Sequence, residues 1–282
     1  MSQDKFRVTY TLSMIICILA ALASAAGLFV PNLYRDNTLT TSVFRGNDLV
    51  TLVVAVPLLI AAGIFSLRGS RRAQLVWMGA LGYMLYNYIF YLYGAAFNRA
   101  FLLYTALFAM SVYALISGLV RIEISGINQK FHARTPAKWI SAYMMFIAVF
   151  IGGLWIFRSL GFVFSGIVPE DITKFGHPTA MVYATDLSLM IPNMFLGAVL
   201  LWKRRDWGYV LGTIMMVKGM TYMLAMMAMM AFAGGLGSDP LAFLWITLLV
   251  GCLIAGGFLL CNMQTGKATH WKTYEGHQNL AS

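Results

Sequence analysis

Long uncharged apolar runs, separated by short polar or basic turns, dominate this chain. Eight runs, at about 10–33, 49–67, 73–95, 100–120, 139–163, 179–202, 207–233 and 240–263, come close to or exceed the ~20 residues that cross a hydrocarbon core ~30 Å thick. The pattern predicts an all-α, polytopic transmembrane bundle of eight spans. The connecting loops, the longest at 121–138 and 161–178, are too short to fold as soluble domains.

Composition fits that reading. Of 282 residues 60% are apolar and 11% charged, against roughly 25% charged in soluble folds. The net charge of +10 is spread loop by loop. With no basic and aromatic residues interleaved on a soluble face, it speaks against a nucleic-acid partner. Fourteen of the 20 Lys and Arg residues fall on one side, among them Lys5, Arg7, Arg68, Arg71, Arg72, the 121–138 and 203–205 loops, Lys267 and Lys272. Five fall on the other, Arg35, Arg45, Arg99, Arg158 and Lys174, with the acids Asp36, Glu170, Asp171 and Asp239. This bias predicts a multi-pass protein of the cell (inner) membrane with both termini cytoplasmic. A basic start and Ala23-Ser24-Ala25 also resemble a cleavable signal, but the run continues to Val30 and is read as a span.

The two halves follow one plan: a Gly-Leu ending (Gly27-Leu28, Gly153-Leu154), a polar outer loop, a span with an early Asp-Leu and a later Pro (Asp48 and Pro57, Asp186 and Pro192), then a basic turn. Residues 1–134 and 135–282 are therefore expected to be tandem four-helix units in the same orientation, with Asp48 and Asp186 as counterparts.

Polar residues inside the spans are the candidate chemistry. Counted at 1.5 Å per residue, Lys218 lies about 18 Å from the basic side, Asn193 about 15 Å, Asp186 about 25 Å, Asn87 about 22 Å and Asp48 about 30 Å. No helix end explains Lys218, and a mid-membrane charge costs about 2.5–3.5 kcal/mol on insertion scales. An ion pair with Asp186 is expected, supported by Asn193, Thr221 or Tyr222. Lys218, Asp186, Asn193, Asp48 and Asn87 form the expected solute- or ion-binding set, although an Asp at position 48 also suits a helix N-cap. Tyr83, Tyr86, Tyr88, Tyr91 and Tyr93 read as an interfacial belt. Met216, Met220, Met223, Met227 and Met230 read as packing. Glycine pairs such as Gly79 and Gly82, or Gly212 and Gly219, suit close helix contact.

Other chemistries find little support. Cys17, Cys252 and Cys261 form no CxxC, no span holds a histidine, and hydrolase, Walker and zinc-protease motifs are missing. His177, near Glu170 and Asp171, is a weak metal or proton candidate, and His132, His270 and His277 read as solvated. No cofactor is indicated. The expected function is binding or transport of a small solute or ion in the outer half of the bundle. The alternatives are an intramembrane enzyme acting on a lipid or quinone-like molecule, for which no catalytic motif speaks, and a non-catalytic assembly subunit. The bilayer is the one certain partner, and oligomers are compatible with it.

Overall fold

The computed structural model describes residues 6–235 and 242–264; Lys5, Lys267, Lys272, Asp239, His270 and His277 lie outside the described residues. Among the described residues, eight helices are long and apolar enough to cross a membrane. They are α1 (Arg7–Phe29), α2 (Thr38–Leu67), α3 (Arg71–Gly94), α4 (Phe101–Arg121), α5 (Ala137–Ser165), α6 (Met181–Trp202), α7 (Asp206–Phe232) and α8 (Ala242–Cys261). The protein is an all-helical, multi-pass membrane bundle.

One boundary differs from expectation. α2 begins at Thr38, eleven residues before the apolar run, because Asn37 caps it by accepting the Thr40 N–H (2.8 Å). Asp48 is therefore interior to the helix and cannot be its N-cap. α6 begins at Met181, which puts Asp186 inside as well. Sequence hydropathy undercounted α2 because its first turns, Thr38 to Asp48, are polar yet largely buried among neighbours.

Connecting loops gather at the two ends. At the basic end Arg71 pairs with Glu123, Arg72 Nε donates to the Met263 carbonyl (2.7 Å), and Asp206 accepts the Gly126 and Asn128 amides (3.2 and 2.8 Å). At the opposite end Asp36 accepts the Ala96 N–H (2.9 Å), and Thr40 donates to the Phe175 carbonyl (2.9 Å). The loop after α5 is thus anchored on the start of α2.

α3 and α7 lie at the centre. α3 packs on α2, α4 and α7; α7 packs on α2, α3, α6 and α8; α5 covers α6, and α1 covers α2 and α4. Small residues permit the central crossings. A Cβ on Gly46 would lie 2.6 Å from the Ala228 carbonyl oxygen of α7, and one on Gly79 would lie 2.6 Å from Val217 Cβ. Without a water-driven force between helices in lipid, such close backbone approach is what gives them their contact.

α2 and α6 are broken in the same manner. A five-residue π-turn, Thr51–Ala55 in one and Asp186–Met190 in the other, ends two residues before a proline, Pro57 or Pro192. Proline lacks the N–H that its i−4 carbonyl needs, and its ring crowds that carbonyl. A wider turn just upstream absorbs the conflict and rotates the two parts of the helix relative to each other.

Gly46→Val should therefore lower the thermal unfolding midpoint in detergent, with an overpacking cost of about 1–3 kcal/mol or more because the obstacle is backbone. Gly153, whose Cβ position is open, serves as the control: Gly153→Val should leave the midpoint near wild type. Equal midpoints for the two variants would contradict the close α2–α7 crossing.

Candidate functional site

α3 carries two polar faces, and each meets a broken helix. Tyr83, Asn87 and Tyr91, spaced four residues apart, share the face toward α2. There the Asn87 amide donates to Thr51 Oγ1 (3.4 Å), Thr51 lies 3.0 Å from the Tyr83 hydroxyl, and Tyr83 donates to Asn47 Oδ1 (3.2 Å). The Asn47 amide donates in turn to Asn87 Oδ1 (2.5 Å) and the Tyr91 hydroxyl (3.1 Å). Tyr91 donates to Asp48 Oδ1 (2.9 Å), and Tyr34 donates to Oδ2 (2.5 Å). Asn47, Asn87, Thr51 and Tyr83 thus close a hydrogen-bonded ring, and Tyr91 leads from it to the Asp48 carboxylate. Gly27 of α1 makes room for that carboxylate, since a Cβ there would fall 1.9 Å from Oδ2.

More hydroxyls surround this nest than it uses. The Tyr91 ring packs 5.0 Å from Tyr104 and 5.6 Å from Tyr88. The Tyr88 and Tyr104 hydroxyls, with Ser24 Oγ of α1, are buried and make no well-formed hydrogen bond, although Ser24 neighbours Asp48 and Tyr88, and Tyr104 neighbours Tyr34. Buried polar groups are normally satisfied, so such a group of unpaired hydroxyls is where water or a bound polar molecule belongs.

The second face meets α6 and α7, and α5 reaches the same cluster through α6. Asp186, the first residue of the α6 π-turn, accepts from the Tyr86 hydroxyl on one oxygen and from Trp155 Nε1 (2.8 Å) on the other. The Tyr86 ring lies beneath the Lys218 ammonium, 3.3 Å from centroid to Nζ, and Tyr222 supplies a second ring at 4.9 Å. The expected direct Lys218–Asp186 ion pair is not formed; Tyr86 stands between the two charges. Among the described residues the ion pairs are Arg71–Glu123, Arg158–Asp171 and Lys174–Glu170. A desolvated cation over an aromatic face gains about 2 kcal/mol, so two rings offset the insertion cost of the lysine. Above this cluster Tyr183 stacks on Trp155 (4.2 Å) and donates to Asp171 (2.6 Å), which pairs with Arg158 (2.6 Å).

The structure brings Lys218 and Asp186 together, and Asp48 and Asn87 together, as two clusters joined through α3. Asn193 belongs to neither. It is exposed on the outside of α6 and donates to the Leu189 carbonyl of its own helix (2.8 Å), because the π-turn and Pro192 rotate it away from α7. Of the other expected partners, Tyr222 contributes its ring, whereas Thr221 bonds back to Val217 (3.0 Å).

The belt reading of the tyrosines fails for four of five. Tyr83, Tyr86, Tyr88 and Tyr91 are buried, and Tyr93 alone is exposed. The four-residue spacing of Tyr83 and Tyr91 from Asn87 was the available signal for an inward polar face. Cys17 and Cys252 are buried as expected, while Cys261 is exposed; all three are free. Among the described residues no group of three or more His, Cys, Asp or Glu could hold a metal. His177 stacks near Phe175 and lies beside Gly94, and this burial lowers its pKa despite the opposing pull of Asp36.

The two breaks also share a register. Thr51 and Asp186, Pro57 and Pro192, and the positive-φ residues Gly69 and Arg204 that close the following turns are all related by one constant offset. That offset matches Tyr83 with Lys218, and Tyr183 rather than Asp186 with Asp48. The hydrogen-bonded pair Thr51 and Tyr83 thus corresponds to the charged residues Asp186 and Lys218, which are joined through Tyr86.

No protein-family model, curated protein or solved structure matches this chain.

Tyr86→Phe removes the hydroxyl but keeps the ring, and should lower unfolding stability by about 1.5–3 kcal/mol, the range for a hydrogen bond to a charged group. Tyr86→Leu also strips a cation–π face and should lose roughly a further 2 kcal/mol. Equal losses in the two variants, measured by denaturant unfolding in detergent, would show that the ring does not support Lys218.

Proposed function

We propose that the protein is a membrane carrier that binds a small polar solute or ion between two tandem four-helix units, 1–134 and 135–282. The observation that carries this reading is the matched break of α2 and α6, each interrupted by a π-turn and proline beside a buried polar cluster. Discontinuous helices at corresponding positions of two repeats, with polar groups at membrane depth, are where transporter sites form. π-turns concentrate at functional sites for the same reason: they expose backbone and re-aim side chains.

Lys218 and Asp186 provide the charged part of the site, and Asp48 with Asn87 the polar part nearer the outer end. The unpaired hydroxyls of Ser24, Tyr88 and Tyr104 support an occupant beside Asp48. Asn193, facing outward, has no part in the binding set. The basic end faces the cytoplasm, by the excess of Lys and Arg there, and the solute enters from the opposite side.

A second reading, an assembly subunit, is favoured by one observation. The outer end of α5 and the residues after it, 159–168, are exposed all round and include Leu160, Phe162, Val163, Phe164, Ile167 and Val168. Such a segment suits another membrane helix.

The test is a thermal-stability screen of purified protein against small carboxylates, amines and monovalent cations, followed by flux of any stabilising compound in proteoliposomes. One class should raise the midpoint and cross the membrane, and Lys218→Met and Asp186→Asn should abolish both effects. Flux that survives both substitutions would place the pathway elsewhere. A screen in which no class stabilises the wild type would favour the assembly reading.

A further inference from the structure

We propose that the groove between α5 and α6 at the basic end binds one anionic phospholipid, with its phosphate held at the mouth and an acyl chain laid in the slot. The groove has a volume of about 590 Å³ and lies away from both polar clusters. Its walls are apolar, with Met145, Phe146 and Phe150 from α5 and Ala198 from α6. From Ser141 to Phe150 the α5 wall rises about 13 Å, the depth an acyl chain would occupy. Phe146 and Phe150 are exposed on the outside of the bundle, so the slot opens sideways toward lipid.

The mouth is charged and partly fixed in place. Lys203 lines it, and Lys138 is held with its ammonium 5.8 Å from the centroid of Trp202, another lining residue. Among the described residues no acid lines the groove, and the basic turn beside it, Lys203, Arg204 and Arg205, outnumbers the single acid that follows, Asp206, which accepts the Gly126 and Asn128 amides. The potential at the mouth is therefore positive, which suits a phosphate and not a zwitterion of zero net charge.

An independent observation lies in the wall. Ser141 is a residue of the groove wall, is 2% exposed, and its buried hydroxyl has no hydrogen-bond partner. Elsewhere on α5, Ser159 and Ser165 satisfy themselves by donating to the carbonyls of Trp155 and Gly161 (2.7 Å each). Ser141 does not. An unpaired buried hydroxyl is unfavourable, and rotation of this side chain toward the slot would let it donate to a lipid phosphate or ester oxygen.

The experiment is native mass spectrometry and thermal unfolding of the delipidated full-length protein with phosphatidylglycerol or phosphatidylcholine added back. Wild type should retain phosphatidylglycerol roughly tenfold or more over phosphatidylcholine, as two nearby surface cations imply. The double variant Lys138→Gln, Lys203→Gln should lose this preference. Val149→Trp, which fills the slot from an exposed wall position, should lose retention of both lipids without a lower unfolding midpoint in detergent alone. Equal retention of the two lipids by wild type, or a preference that persists in the double variant, would overturn the proposal. Stabilisation by inorganic phosphate equal to that by phosphatidylglycerol would remove the acyl-chain part and overturn it as a lipid site.

Discussion

An ammonium near the middle of a bilayer must be neutralised, solvated by protein, or reached by water. Lys218 is solvated by protein, and much of the central architecture follows from how this is done. Two tyrosine rings, from α3 and from its own helix α7, receive the charge, and the Tyr86 hydroxyl passes the connection on to Asp186. The carboxylate can then accept Trp155 on its other oxygen, which ties α5 to the same centre. A direct lysine–aspartate bridge would have joined two helices. The tyrosine in between joins four.

The first half of the chain builds its polar cluster without a paired cation. Amides and hydroxyls of α2 and α3 form a hydrogen-bonded ring linked through Tyr91 to Asp48, which receives two phenols and has no cation within 4.0 Å among the described residues. α3 serves both centres because neighbouring residues on a helix point about 100° apart, so Tyr86 and Asn87 face different partners. The π-turns complete the arrangement. Each brings a polar residue, Thr51 or Asp186, inward at a place where proline has already disturbed the helical ladder.

The helical bundle was legible in the apolar runs, since length and hydropathy alone decide what can cross a membrane. Lys218, Asp186, Asp48 and Asn87 stood out as polar residues at depth, and all four are buried. Asn193 stood out for the same reason yet faces outward, because depth says nothing of direction and the π-turn shifts the face of every residue after it. The start of α2 was misplaced because its buried polar turns look like loop. Tyr86 and Trp155 were hidden because aromatic residues are common throughout the spans, so neither could be distinguished from belt or core without its neighbours.

The central claim, that Tyr86 couples Lys218 to Asp186, is tested most directly by a double-mutant cycle of Tyr86→Leu and Lys218→Met, read by denaturant unfolding in detergent. Residues that share a contact of this kind show coupling of about 0.5–3 kcal/mol. The account predicts coupling in that range, with the double variant losing less stability than the two single losses together. Additive losses would mean that lysine and tyrosine are held independently, and the linked charge centre would have to be abandoned.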